Sequence, residues 1–188
     1  MTRSVAGPMG ERRTAEQTGG KPTDKWAFLL PPGWARIATD AGAMYLPTEP
    51  MAGMTVPASI TETELFGVVG RSPVEVATSI LGDSDEENEL VELDGRPGVR
   101  VSSTVQEPPA ADGGPAVFAR EVTYVVSRHE ADGDWLVLSF RTTWNSPGTE
   151  RLAEVLVTFF DAVLTTFRWT GHGARPVSLP EREVPGSA

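Results

Sequence analysis

The residue types that most often perform chemistry in proteins are scarce in this chain. It holds no cysteine and only two histidines, His129 and His172. Without cysteine there is no thiolate nucleophile, no thiolate metal ligand and no disulfide. His129 stands beside an Asp132-Gly133 turn and His172 lies between two glycines, so neither has the partner that a zinc site or a catalytic base requires. Nucleophile and phosphate-loop motifs are also missing. The sequence therefore predicts no catalytic residue, no metal site and no cofactor.

The densest group of reactive side chains is an acidic run between residues 83 and 94. Seven of its twelve residues are carboxylates and none is basic. The spacing partly matches a calcium loop, but Asn88 stands where glycine is needed and Asp94 where a bidentate glutamate is needed, which disfavours calcium. Two interpretations stay open, a solvated connection between a helix and a hairpin and an acidic docking surface for a basic partner. The docking hypothesis names these candidate residues: Asp83, Asp85, Glu86, Glu87 and Glu89.

The charge of the whole chain excludes one class of partner. Its 188 residues carry 16 basic and 26 acidic side chains, a net charge of −10, whereas phosphate backbones require cationic surfaces. No segment approaches the 18 apolar residues of a membrane span, and residues 1–25 contain no apolar stretch of signal-peptide length. We therefore expect a cytoplasmic protein that does not bind nucleic acid and has no membrane span, with its oligomeric state left open.

Tryptophan and arginine supply further candidates. Trp135 lies beside a turn on the less apolar face of its predicted strand, so we expect it to be the most exposed of the five tryptophans and a partner contact. Three arginines are expected to form a basic row across neighbouring strands: Arg100, Arg120 and Arg141. The alternative is ordinary cross-strand pairing with nearby glutamates. Those glutamates are Glu89, Glu92 and Glu121.

Helical signals occur twice. Ser72-Pro73-Val74-Glu75 combines a capping box with proline at the first helical position, and Gly82 marks the end of that short helix. A longer helix begins near Ser146-Pro147 and is predicted to run to about Arg168. Its apolar side chains recur at helical spacing and predict a buried face. They are Leu152, Val155, Leu156, Phe159, Phe160, Val163, Leu164 and Phe167.

Strand signals fill most of the remaining chain between residues 25 and 170. Two hairpins are predicted around Asp94-Gly95 and Asp132-Gly133, with alternating apolar residues on either side. Strands followed by a helix, two hairpins and a long helix predict an α+β domain with an antiparallel sheet flanked by helices. Residues 1–24 and 171–188 are rich in glycine and proline and are predicted to be disordered tails.

Three short motifs resemble the superfamily that includes PsbP, LpqN and DcrB. The first is the turn Leu30-Pro31-Pro32-Gly33-Trp34. The second is the pair of hairpin strands that hold Thr123-Tyr124-Val125-Val126 and Leu136-Val137-Leu138-Ser139-Phe140. The third is the aromatic end of the last helix, Leu164-Thr165-Thr166-Phe167-Arg168-Trp169. The resemblance covers nearly all of residues 25–170, and it implies an α/β/α sandwich around an antiparallel sheet.

The resemblance also implies a function through protein contacts. PsbP supports a photosynthetic complex, a eukaryotic relative binds the GTPase Ran, LpqN-like proteins associate with cell-envelope partners, and DcrB-like domains include secretion-effector chaperones. No catalytic residue is common to them. We therefore expect a non-enzymatic interaction or accessory module. The alternative is a chaperone or carrier that holds an apolar peptide or lipid-like ligand between sheet and helix, with Met44, Met51 and Met54 as adaptable contacts. A third hypothesis, a hydrolase, requires a carboxylate pair in a cleft.

Overall fold

A computed structural model describes residues 25–50, 55–68, 71–82, 87–108, 115–129 and 133–170. The predicted tails, residues 1–24 and 171–188, lie outside these ranges, as does His172. The strands are β1 Trp26–Ala27, β2 Trp34–Thr39, β3 Gly42–Pro47, β4 Ala58–Leu65, β5 Glu87–Leu93, β6 Arg96–Gln106, β7 Phe118–His129, β8 Asp134–Trp144 and β9 Arg168–Trp169. The helices are α1 Pro73–Leu81 and α2 Pro147–Leu164.

Seven strands form one antiparallel sheet in the order β2-β3-β4-β8-β7-β6-β5, and β1 pairs with β9 in a separate two-stranded ribbon. The predicted hairpin at Asp94-Gly95 is confirmed. Both residues have a positive φ, 50° and 80°, as the tight turns between adjacent strands require. The longest strands, β6, β7 and β8, lie next to one another, and β5 and β2 form the two edges of the sheet.

The main core lies between α2 and one face of the sheet. Phe160 of α2 stacks on Phe140 of β8 with ring centroids 5.1 Å apart, and it meets the Tyr124 ring edge-on at 5.8 Å. Since apolar burial is the largest favourable term in folding, this contact fixes the long helix across the sheet. One residue of the predicted face is wrongly placed, because Val155 is 63% exposed.

The end of α2 also differs from the prediction. The helix stops at Leu164 rather than near Arg168, and the chain turns through two threonines. The backbone of Arg168–Trp169 then pairs with Trp26–Ala27. Strand pairing with the start of the domain therefore replaces the last predicted helical turn.

The shorter helix, α1, covers the opposite face of the sheet. The predicted capping box of α1 is confirmed, with Ser72 and Glu75 exchanging hydrogen bonds. Val76 and Ala77 pack against a smaller cluster that contains Val125 and Trp135. Alternate residues of β7 and β8 thus face α2 and α1 in turn, which makes the protein an α+β domain with helices on both faces of an antiparallel sheet.

Candidate interaction surface

One of the two edges of the sheet is formed by β5. This strand pairs with β6 along its whole length, and no strand in the described part of the chain pairs with its other side. Five of its seven residues are exposed, and Leu90 alone leaves 75% of its surface in contact with solvent. An open strand edge offers unpaired backbone donors and acceptors to another chain.

The predicted acidic candidates meet this edge in part. Glu87 and Glu89 lie on β5 and are exposed. The other three candidates lie outside the described residues, so their role in docking stays a prediction. They are Asp83, Asp85 and Glu86. A third exposed glutamate, Glu92, is two residues from Leu90 and shares its face of the strand, opposite to the face of Glu87 and Glu89. Glutamates therefore stand on both faces of this edge.

The arginine opposite Glu89 in the strand register is held by another carboxylate. Glu89 lies opposite Arg100 in the β5–β6 register, but the Arg100 guanidinium binds Asp161 of α2 through two hydrogen bonds of 3.0 and 3.1 Å. Tyr124 donates its hydroxyl hydrogen to the same carboxylate at 2.8 Å. Burial, and then this hydrogen bond, raise the pKa of Tyr124. Glu89 is thus left with its negative charge facing solvent.

The predicted basic row is wrong, because the strand register separates its members. Arg141 lies opposite Glu121 and forms ion pairs with Glu121 and Glu107. Arg120 lies opposite Thr142, the residue after Arg141, and successive residues of a strand point to opposite faces. Arg120 and Arg141 are therefore on different faces of the sheet. The alternative of cross-strand pairing is confirmed for Arg141 and Glu121.

The predicted exposure of Trp135 is also wrong. This side chain is 1% exposed, and its indole nitrogen donates to the Val68 carbonyl at 3.1 Å. The face that seemed less apolar in the sequence is the one that α1 covers, so the mixed pattern came from a second buried layer rather than from a solvated surface. Trp135 contributes to folding, and nothing in its surroundings makes it available to a partner.

A second polar cluster was not anticipated from the sequence. Glu62 of β4 is only 6% exposed, and both its oxygens are bonded, one to Arg36 at 3.1 Å and the other to the Tyr45 hydroxyl at 2.6 Å. Burial and the bond to Glu62 raise the pKa of Tyr45 to about 12. Two residues along β4, Glu64 pairs with buried Arg128.

The signal for this cluster was present in the strand Ala58–Leu65. Glu62 and Glu64 follow Ile60 at intervals of two, so they share the face that packs against α2. A glutamate in phase with a core residue needs a buried partner. The cluster lines a cavity of about 310 Å³, yet its carboxylates are already held by arginine, which makes it a structural network rather than the carboxylate pair of a hydrolase.

No group of three or more histidine, aspartate or glutamate side chains gathers in a way that could hold a metal ion within the described residues. Neither of the helices present there is long and apolar enough to cross a membrane. His129 ends β7 opposite Asp134, at the bulged end of the hairpin.

Comparison with known proteins finds no matching family and no matching characterised protein by sequence. Among solved structures, the chain is similar to LpqN, which is involved in cell envelope biogenesis of Mycobacterium tuberculosis, with 14% identity and a TM-score of 0.49 over 80% of this chain and 86% of that one. It is also similar to the Ran-binding protein Mog1p of Saccharomyces cerevisiae, at 14% identity and a TM-score of 0.47 over 79% and 96%. A point mutant of the protein Mog1 is also similar, with 16% identity and a TM-score of 0.48 over 77% of this chain and 95% of that one. Similarity at this level transfers no function.

Proposed function

We propose that this protein is a non-enzymatic interaction module whose β5 edge binds an extended, basic segment of a partner protein. The observation that carries the proposal is the edge itself, a seven-residue strand that is paired on one side in the described structure and lined by exposed glutamates. The similarity to a Ran-binding protein and to a protein involved in cell envelope biogenesis does not identify the partner.

Strand addition supplies the affinity in this proposal. A partner segment that lies antiparallel or parallel to β5 would form backbone hydrogen bonds with the unpaired side of this strand and so extend the sheet by one strand. The affinity from backbone pairing does not depend on side chains, so selectivity has to come from the residues that alternate along the two strands.

Charge supplies the selectivity. Glu87, Glu89 and Glu92 would each stand beside a residue of the added strand, and opposite charges in such positions stabilise a pair by about 0.2–1 kcal/mol. The surroundings reinforce this preference, because residues 26–170 carry 21 acidic and only nine basic side chains. A basic segment is therefore attracted over a distance, and an acidic one is repelled.

The same glutamates also protect the free protein. An exposed edge is a template for uncontrolled pairing between copies, and charged residues on the edge prevent it. Two copies of β5 that paired in parallel and in register would place each glutamate against its own counterpart. The glutamates therefore disfavour such pairing and favour a segment of opposite charge.

The alternative is a carrier that holds an apolar ligand between sheet and helix, and in the described residues the interior between α2 and the sheet is filled. Two of its expected contacts, Met51 and Met54, lie outside those residues. The layer between α2 and the sheet is occupied by stacked rings, including Phe140 and Phe160 with centroids 5.1 Å apart, and by the buried side chains of Leu138 and Leu156. Close-packed interiors of this kind leave no room for a lipid chain.

The experiment uses short synthetic peptides and backbone amide NMR spectra of the full chain. A seven-residue peptide that alternates lysine and valine is expected to shift the amide signals of residues 87–93. The same peptide with glutamate in place of lysine, or with alternate backbone nitrogens methylated, is expected to leave them unchanged. Equal binding of the methylated peptide, or shifts that avoid β5, would overturn strand addition.

Matched charge variants separate the edge from the overall charge. Glu87→Gln/Glu89→Gln should weaken binding of the lysine peptide by about 3- to 10-fold, which corresponds to two lost cross-strand charge pairs. Asp40→Asn/Glu49→Gln removes two negative charges from exposed positions near the opposite edge and should leave the affinity within about twofold. An equal loss in both variants would mean that only net charge matters.

A further inference from the structure

A groove runs between the first turns of α2 and the adjoining ends of β6, β7 and β8. It has two connected sections of about 260 and 450 Å³, and both are lined by Thr104, Trp144 and Glu150. Its residues are distinct from those of the β5 edge and from the polar cluster around Glu62. The groove is therefore a separate feature of the surface.

The floor of the groove is aromatic. Phe118 and Trp144 lie directly opposite each other in the β7–β8 register, and their rings stack with centroids 5.8 Å apart and an angle of 23°. Both side chains are only half-buried. Val157 of α2 adds an apolar wall. A flat aromatic surface of this kind binds an alkyl chain or a cation that lies across it.

The rim of the groove carries charges of both signs. Glu150 and Glu154 stand four residues apart on α2 and so share one side of the helix. Arg120 lies on β7, where it donates to the Thr104 hydroxyl at 2.8 Å. Within the ranges that the structure describes, Arg120 forms no ion pair, even though two carboxylates line the same groove.

Most arginines on the strands of this protein lie in ion pairs. Arg36, Arg100 and Arg141 each lie in an ion pair with aspartate or glutamate. Arg120 instead faces Glu150 and Glu154 across open space. Since solvent-facing charges of opposite sign are held apart here, a ligand that bridges them would satisfy both ends at once.

We propose that the groove binds a ligand that carries a basic side chain and a carboxylate at its two ends, namely arginine or lysine, either free or as the last residue of a peptide. The carboxylate would accept hydrogen bonds from Arg120, the alkyl stem would lie over Trp144, and the cationic head would reach Glu150 and Glu154. A simple neutral amino acid fits less well, because its ammonium and carboxylate are adjacent whereas the charges of the groove are separated.

Calorimetric titration of the full chain tests the ligand class. L-Arginine and L-lysine are expected to bind, whereas citrulline, whose side chain is uncharged, and agmatine, which lacks the carboxylate, should each bind at least tenfold more weakly. A short peptide that ends in free arginine, compared with its C-terminal amide, distinguishes a chain end from a free amino acid as the source. Equal binding of agmatine and arginine, or no binding of any probe, would overturn the proposal.

Variants of the rim locate the ligand. Arg120→Gln and Glu150→Gln/Glu154→Gln should each weaken arginine binding by more than tenfold, and Arg120→Gln should abolish the difference between arginine and agmatine. Glu49→Gln is the control, since it removes an exposed carboxylate outside the groove and should have no effect. Thermal melts identify any variant that fails to fold, and Glu87→Gln/Glu89→Gln should leave arginine binding unchanged, so that failure of the β5 proposal and failure of this one are separate outcomes.

Discussion

The hydroxyl of Tyr45 donates to the Glu62 carboxylate at 2.6 Å, and Arg36 binds the other oxygen of the same carboxylate. A second network of the same composition joins Tyr124 to Asp161, which also accepts two hydrogen bonds from Arg100. These are the two tyrosines of the chain, and each is bonded to a carboxylate that an arginine also holds. In each network the negative charge opposes the ionisation of the phenol.

We expect both tyrosines to resist ionisation in the folded protein. Burial and the bond to Glu62 raise the pKa of Tyr45 to about 12, and burial with Asp161 raises that of Tyr124 as well. A spectrophotometric titration should show almost no tyrosinate near pH 10 until the protein unfolds. In Glu62→Gln the pKa of Tyr45 should fall towards its ordinary value, because one of the two causes of the shift is removed. A full tyrosinate signal at pH 10 in the folded wild type would contradict this.

The same shifts predict how stability depends on alkaline pH. A phenol whose pKa is higher in the folded than in the unfolded state stabilises the fold below pH 10, and this contribution is lost as the pH rises towards 12. The free energy of unfolding should therefore fall between pH 10 and 12. Urea titrations of wild type and Tyr45→Phe measure it, and the variant should show a shallower fall over this interval. Parallel curves would mean that Tyr45 makes no such contribution.

Local signals were the part of the fold that could be predicted. The capping box of Ser72 and Glu75 and the turn at Asp94-Gly95 depend on residues within a few positions of one another, and both are present. The edge position of β5 and the exposure of Trp135 depend on which strands are neighbours and which face a helix covers. The bond between Tyr45 and Glu62 joins residues 17 positions apart and depends on the pairing of β3 with β4, so no local pattern specifies it.

The burial of Trp135 gives a test of its structural role. Trp135→Phe removes the indole donor and leaves the Val68 carbonyl without its bond of 3.1 Å, which should cost about 1–3 kcal/mol. Trp135→Ala should cost about 3–5 kcal/mol because it also leaves a cavity. Denaturant unfolding measures both. Trp144→Phe, at the other end of the same strand and half-buried, is the control and should change stability by less than about 1 kcal/mol.

Two neighbouring residues of α2 report which face of the helix is buried. Leu156 lies in the main core, whereas Val155 is 63% exposed. Leu156→Ala should destabilise the protein by about 2–5 kcal/mol. Val155→Ala should be neutral or slightly stabilising, because alanine is the better helix former and little burial is lost. Thermal or urea unfolding of the two variants decides the matter, and equal losses would mean that α2 is rotated about its axis.

The approach of β3 to β4 depends on a glycine. Gly42 begins β3 opposite Thr63 with φ +155°, and a Cβ atom there would collide with the carbonyl oxygen of Glu62. Gly42→Ala must therefore displace the strand that carries Glu62, and we expect it to destabilise the protein by about 2 kcal/mol or more. Gly148→Ala is the matched control, since nothing lies within 4 Å of its Cβ position and it stands in the first turn of α2. That variant should be stabilised by about 0.4–1 kcal/mol through the lower conformational entropy of the unfolded chain. Urea unfolding compares the two, while the amide signals of β4 show whether Glu62 has moved. Equal stability of the two variants would mean that β3 and β4 do not approach as closely as this register requires.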